Sequence, residues 1–279
     1  MEIIIVPNAS QTAADQPAND RADAERALVL LDLTELGDSA SAADVAALCD
    51  RAKGASPSVA AVCVWPRFVR QAVEALVGTG VRVATVVNFP TGDEPLGQVV
   101  HQTQVALADG ADEIDLVLPY AALLAGSGDV GSAMVTAIRS EVPADATHRL
   151  KVILETGELR ERAVIDRAAR LAIRCGADFI KTSTGKTATS ATPEATEVML
   201  LAIRDLDPMV GLKPSGGIRT LDDARVYLHQ ADAIMGPAWA SPLTFRFGAS
   251  GLLTALTAVI DGADTPPDDE QADEQQAGY

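Results

Sequence analysis

Lysine is rare in this sequence, and its placement points to amine chemistry. Five lysines stand among 22 basic residues: Lys53, Lys151, Lys181, Lys186 and Lys213. Three of them lie in Phe179-Ile-Lys-Thr-Ser-Thr-Gly-Lys186 and Gly211-Leu-Lys-Pro-Ser-Gly-Gly217, apolar strand-like runs that lead into glycine-rich loops. Elsewhere the chain generally uses arginine for positive charge. Arginine stays protonated at any working pH, whereas a buried lysine can lose its proton and act as a nucleophile. Carboxylates interrupt other apolar runs: Asp32 in Leu28-Val-Leu-Leu-Asp-Leu33, Asp115 in Ile114-Asp-Leu-Val-Leu118, and Glu155 at the end of Val152-Ile-Leu-Glu. Isolated buried charges are costly, so these groups must pair with one another or line a wet cavity. Any one of them could be a structural ion pair. Five on five strands, with both signs present, favour an active site.

Glycine-rich loops add a second signal. Gly185-Lys186 follows the lysine strand at 179–184, Gly216-Gly217 follows the one at 211–215, and Phe247-Gly-Ala-Ser250 is expected to open the last helix. Free backbone N–H groups at such loops and at a helix N-terminus bind phosphate, and Lys186 would add a full positive charge. Ser183-Thr-Gly-Lys-Thr187 imitates a nucleotide-binding P-loop, but Ile180 occupies the place of that motif's first glycine, which excludes it.

The elements that must position these groups alternate regularly. Strand-like runs occur at 28–34, 59–65, 82–89, 113–119, 150–155, 179–184, 211–215 and 232–236, separated by Ala/Leu-rich segments with helical spacing. Gly110-Ala-Asp-Glu-Ile, Gly176-Ala-Asp-Phe-Ile and Gln230-Ala-Asp-Ala-Ile read as a repeated helix-to-strand turn. Eight strands alternating with helices predict a single-domain α/β fold, a (β/α)8 TIM barrel over residues 26–260. Residues 1–25 read as a flexible N-terminal arm and 261–279 as a flexible acidic tail.

Composition narrows the function classes. A net charge of −17 argues against a nucleic-acid partner. No apolar run approaches the roughly 20 residues that span a bilayer, so no membrane partner is expected. Cys49, Cys63 and Cys175 are too widely spaced for a zinc site or disulfide framework, which predicts a reducing, cytoplasmic setting.

Taken together, Leu31-Asp-Leu-Thr34, Val62-Cys-Val-Trp-Pro-Arg-Phe68, Ala84-Thr-Val-Val-Asn-Phe-Pro-Thr-Gly92, Gly110-Ala-Asp-Glu-Ile-Asp115 and Leu150-Lys-Val-Ile-Leu-Glu-Thr-Gly-Glu158 resemble deoxyribose-phosphate aldolases. The two lysine motifs and Arg246-Phe-Gly-Ala-Ser250 complete the resemblance, which runs in order from about residue 26 to 260. It implies a class I aldolase that needs no metal or other cofactor and takes a phosphorylated sugar, with a homodimer as the family's suggestion. Carried onto this sequence, it makes Lys181 the Schiff-base lysine and Lys213 the neighbouring ammonium. Asp115 would take part in proton transfer, and Asp32 could balance the lysines. Thr184, Gly185, Lys186, Gly216, Gly217, Gly248 and Ser250 would hold the substrate and its phosphate. Some family members end in a tyrosine that returns to the site, which would give Tyr279 a proton-relay role. The sequence departs from the family at Gly251, where a second serine is common.

Two competing readings remain at this level. One is a Schiff-base aldolase for a different aldehyde, and the other a non-catalytic sugar-phosphate-binding barrel.

Overall fold

The computed structural model describes residues 16–262. Eight strands carry the site: β1 (Leu31–Glu35), β2 (Ala61–Val64), β3 (Arg82–Val87), β4 (Glu113–Val117), β5 (Arg149–Ile153), β6 (Phe179–Lys181), β7 (Gly211–Lys213) and β8 (Phe247–Ala249). The helices are α1 (Gln16–Leu28), α2 (Ala42–Gly54), α3 (Val69–Leu76), α4 (Leu96–Ala108), α5 (Tyr120–Leu124), α6 (Gly128–Glu141), α7 (Thr156–Leu159), α8 (Arg162–Arg174), α9 (Pro193–Leu206), α10 (Leu221–Met235) and α11 (Leu252–Asp261). All strand pairs are parallel, in the order β7-β6-β5-β4-β3-β2-β1-β8. The ring closes between β7 and β8 through two bridges, Leu212 with Phe245 and Ser215 with Gly248. Leu212 N to Thr244 O, Arg246 N to Leu212 O and Gly248 N to Pro214 O are among the hydrogen bonds that fasten this join. The result is the expected (β/α)8 barrel.

Strand alternation divides each strand between two environments. Leu31, Leu33, Val62, Val64, Ile114, Leu116, Leu150, Val152, Ile180 and Leu212 point outward into the large core shared with the helices. The intervening residues point into the barrel. On one side these are small or apolar: Leu36, Cys63, Ala84 and Val86 form a separate buried cluster, against which Trp65 and Phe89 pack, edge to face with each other. On the other side they are charged.

Three expectations are corrected. The eighth strand is Phe247–Ala249, while residues 232–235 belong to α10 and Gly236 caps it. A capping box between Thr220 and Asp223 starts α10, and Gly236, at φ 98°, ends it only after Met235. The Gln230-Ala-Asp-Ala-Ile segment is therefore helical, unlike its two look-alikes. Nor are residues 16–25 a loose arm, since they form most of α1. Ala24, Ala27 and Leu28, at helical spacing, are fully buried. Arg225 binds Asp20 and Asp23, Arg26 binds Asp232 at 2.6 Å, and Arg21 Nη1 donates to Ile260 O at 2.7 Å. These contacts tie α1 to α10 and α11. Third, Asp261, expected to begin the tail, ends α11, and Gly262 caps it in a left-handed conformation. Tyr279 and the tail beyond Gly262 lie outside the described residues, as does the arm before Gln16. Among the described residues, no helix is long and apolar enough to cross a membrane.

Candidate active site

Register places the charged side chains before any side-chain contact is considered. Lys181 on β6 sits directly beside Lys213 on β7, and Asp115 on β4 beside Lys151 on β5. Asp32 on β1 is flanked by Ala61 and Gly248, which leave space around it. A side chain at Gly248 would collide with Ser215 and crowd the Lys213 stem, so glycine is needed there for close packing.

From these positions the side chains form one buried cage. Lys213 Nζ lies 2.6 Å from Asp32 Oδ2 and 2.8 Å from Asp115 Oδ2. Lys181 Nζ reaches the same Asp115 oxygen at 3.2 Å. Lys151 Nζ occupies the other Asp115 oxygen at 2.7 Å and Glu113 at 2.6 Å. Arg246 closes the cage, with Nη1 2.6 Å from Asp32 and Nη2 2.9 Å from Glu113. Its guanidinium lies over the Phe179 ring, 5.6 Å from the centroid, and that ring fills the space that the absent side chain of Gly211 leaves.

The electrostatics follow from this packing. Burial opposes ionisation of Asp115, but Lys151, then Lys213 and Lys181, hold its carboxyl well below the usual range. Asp32 and Glu113 are likewise lowered despite burial, Asp32 chiefly by Lys213 and Glu113 chiefly by Lys151. Burial alone would neutralise Lys151, yet Asp115, Glu113 and Asp32 raise it above an ordinary lysine. Burial, helped by Asp115, pushes the Cys63 thiol up to about 11, so it forms an uncharged wall at neutral pH.

The expected phosphate residues gather around the mouth of the barrel, with differing environments. The loops after β6 and β7 touch, since a Cβ on Gly216 would come within 3.6 Å of Gly185 Cα. Gly185, Gly216 and Gly217 have φ of 76°, 80° and 77°, which a residue with a side chain rarely adopts. Gly217 opens onto free space, whereas the Gly248 N–H is already spent on Pro214 O at 2.9 Å. Lys186 Nζ pairs with Asp38 Oδ1 at 2.9 Å, across the mouth of the barrel. Ser250 is half-buried and precedes Gly251, the residue that caps α11. Thr184 donates its hydroxyl to Glu155 at 2.5 Å.

Sequence reasoning assigned no role to Lys151, Glu113 or Arg246, all of which are cage members. Parity held the signal: Glu113 stands two residues before Asp115, and Lys151 interrupts the apolar Leu150 and Val152–Ile153 of β5. Ser215 was also missed. Two residues beyond Lys213, its Oγ is buried without a hydrogen-bond partner, next to Gly248.

The model of the DeoC/LacD family aldolases matches residues 26–256. The chain belongs to that family. This aldolase is 52% identical over 239 residues to the deoxyribose-phosphate aldolase of Agrobacterium fabrum, covering 85% of this chain and 91% of the relative. Among solved structures, a Toxoplasma gondii protein provisionally described as a deoxyribose-phosphate aldolase superposes with a TM-score of 0.81 at 27% identity, covering 90% and 98% of the two chains. The tetrameric deoxyribose phosphate aldolase of Aeropyrum pernix shares the fold, with a TM-score of 0.70 at 24% identity and coverage of 89% and 98%.

Proposed function

We propose that this aldolase cleaves 2-deoxy-D-ribose 5-phosphate to D-glyceraldehyde 3-phosphate and acetaldehyde through a Schiff base on Lys181. The observation that carries the reading is the pair of neighbouring lysines sharing one oxygen of Asp115. Contact geometry favours Lys181 as the nucleophile. Lys213 Nζ is clamped between Asp32 at 2.6 Å and Asp115 at 2.8 Å, whereas Lys181 Nζ lies 3.2 Å from Asp115. A Schiff-base lysine attacks through its neutral amine, and Lys181 takes that role by its place in the family motif.

That amine attacks the C1 aldehyde and, with uptake of one proton and loss of water, forms an iminium. Removal of the C3 hydroxyl proton, with Asp115, Lys213 and a water as the relay, breaks the C2–C3 bond and releases glyceraldehyde 3-phosphate. The electron pair moves into the iminium and leaves a neutral enamine, while the hydroxyl proton passes to the relay. Protonation at C2 and hydrolysis release acetaldehyde and regenerate Lys181. The apolar side of the barrel, Leu36, Cys63, Ala84 and Val86 with Trp65 and Phe89, suits the uncharged two-carbon end, and the glycine loops suit the phosphate. The three unpaired thiols suit a reducing compartment, consistent with the expected cytoplasmic location.

Borohydride reduction in the presence of deoxyribose 5-phosphate, followed by peptide mass mapping, tests this. A two-carbon or sugar-phosphate adduct on Lys181, absent from Lys181→Ala, is expected. Binding of the sugar phosphate without any trapped adduct would favour the non-catalytic binding barrel.

A further inference from the structure

We propose that Glu155 is a positioning residue that shapes the loop after β6 for the substrate's phosphate. This rests on the functional reading above. Glu155 stands two residues past the end of β5 and is fully buried, yet it adopts φ 55° and ψ 62°, a left-handed conformation that is strained for a residue with a Cβ. Neighbouring bonds enforce it. Leu154 N donates to Lys181 O and Thr156 N to Thr182 O, both at 2.9 Å, so the strand that carries the nucleophile grips the backbone on each side of Glu155.

The side chain is thereby turned onto the loop that follows the same strand. Thr184 gives Glu155 Oε2 both its N–H, at 3.1 Å, and its hydroxyl, at 2.5 Å. Thr187 donates its hydroxyl to Oε1 at 3.1 Å. The Thr184 Oγ1 in turn accepts Lys186 N at 3.0 Å. One carboxylate therefore ties together Thr184, Lys186 and Thr187 and sets the path of Gly185 between them. Both of its oxygens are taken by loop donors, which leaves the Gly185 backbone and the Lys186 side chain as the loop's groups for an anion, beside Gly217 of the neighbouring loop. Glu155 makes none of the cage contacts described above, so its effect should fall on phosphate recognition rather than on the reacting carbons.

The test compares 2-deoxyribose 5-phosphate with unphosphorylated 2-deoxyribose in wild type, Glu155→Ala, Glu155→Gln and Thr187→Val, with thermal melts for each. The ratio of kcat/KM for the two substrates should fall by about tenfold or more in Glu155→Ala, carried by KM for the phosphorylated substrate. In Glu155→Gln and Thr187→Val, which remove part of the bond set, a fall of about threefold is expected. An equal loss for both substrates, or an unchanged ratio, overturns the proposal. Should Glu155→Ala fail to fold, Thr187→Val decides by the same ratio. Calorimetric titration with inorganic phosphate keeps the two readings apart. If wild type fails to cleave the sugar phosphate, the aldolase reading falls. Weaker phosphate binding in the Glu155 and Thr187 variants would still support the loop assignment, and equal binding would overturn it.

Discussion

The cage and the rim of this barrel solve the problem of holding charge in opposite ways. In the cage, ions satisfy ions: Lys151, Lys181, Lys213 and Arg246 interlock with Asp32, Glu113 and Asp115 at strand positions set by backbone register. At the rim the work falls to glycines, hydroxyls and backbone amides on loops, and the rim's lysine, Lys186, pairs with an Asp38 side chain that is 90% exposed. The carboxyl groups reflect the difference. Those in the cage are pulled below the ordinary range by their ammonium neighbours, whereas burial pushes Glu155 up against the effect of its hydroxyl partners. Groups that exchange protons and electrons are fixed by the sheet, where a displacement of 1 Å costs rate. Groups that only hold an anion can sit on loops. A surface ion pair contributes about 0–1 kcal/mol, so an arriving phosphate can take Lys186 from Asp38 at little cost.

Four substitutions test that division. Replacing the cage lysine, Lys213→Leu, should cut kcat by about a thousandfold or more, because the proton relay loses a member and Asp32 and Asp115 lose their shared partner. Retention of activity within tenfold of wild type, by steady-state assay, would break the division. Next comes a paired stability measurement by urea unfolding. Lys151→Met strands Asp115 and Glu113 without a shared partner and should cost about 3–5 kcal/mol. Lys186→Met at the rim should cost less than about 1 kcal/mol. Similar values for both would mean that the cage is more hydrated than its burial implies. The smallest effect is a gain. Gly251 has φ −82° and open space where a Cβ would lie, so Gly251→Ser fits without strain. Its hydroxyl should lower KM for the phosphorylated sugar by about two- to fivefold, given the worth of a charge-assisted hydrogen bond at a wet site. An unchanged KM would place the phosphate away from the α11 terminus.

The groups that proved easiest to find were those that contradict their surroundings. Lys181, Lys213, Asp115 and Asp32 each interrupt an apolar strand, and strand parity then sends them all inward. Their partners were harder. That Lys151 shares Asp115 with the two other lysines depends on the β4–β5 register, which pairs residues 36 positions apart and leaves no local mark. Arg246 was hidden differently, because β8 was assigned to the wrong segment. Asp232-Ala-Ile-Met235 resembles the strand entrances at Asp112 and Asp178, but the strong cap at Thr220 carries α10 through it. The true strand is three residues long with glycine at its centre, so it lacks the β-branched signature of its neighbours. Residues 16–25 were read as part of an arm because so few of them are apolar. Ala24, Ala27 and Leu28 suffice once Arg26 and Arg225 supply the remaining attachments.

The barrel behaves as a hoop with one clasp. Seven of its joins are regular ladders, while the eighth, between β7 and β8, rests on two bridges and a few backbone hydrogen bonds. Lys213 and the Gly216-Gly217 turn lie on one side of that clasp, and Arg246 and the Ser250 loop on the other. A phosphate gripped from both sides would span it. On this geometry the substrate's inert end is also a rivet, so a loaded barrel resists being pulled open at the seam where the empty one is weakest.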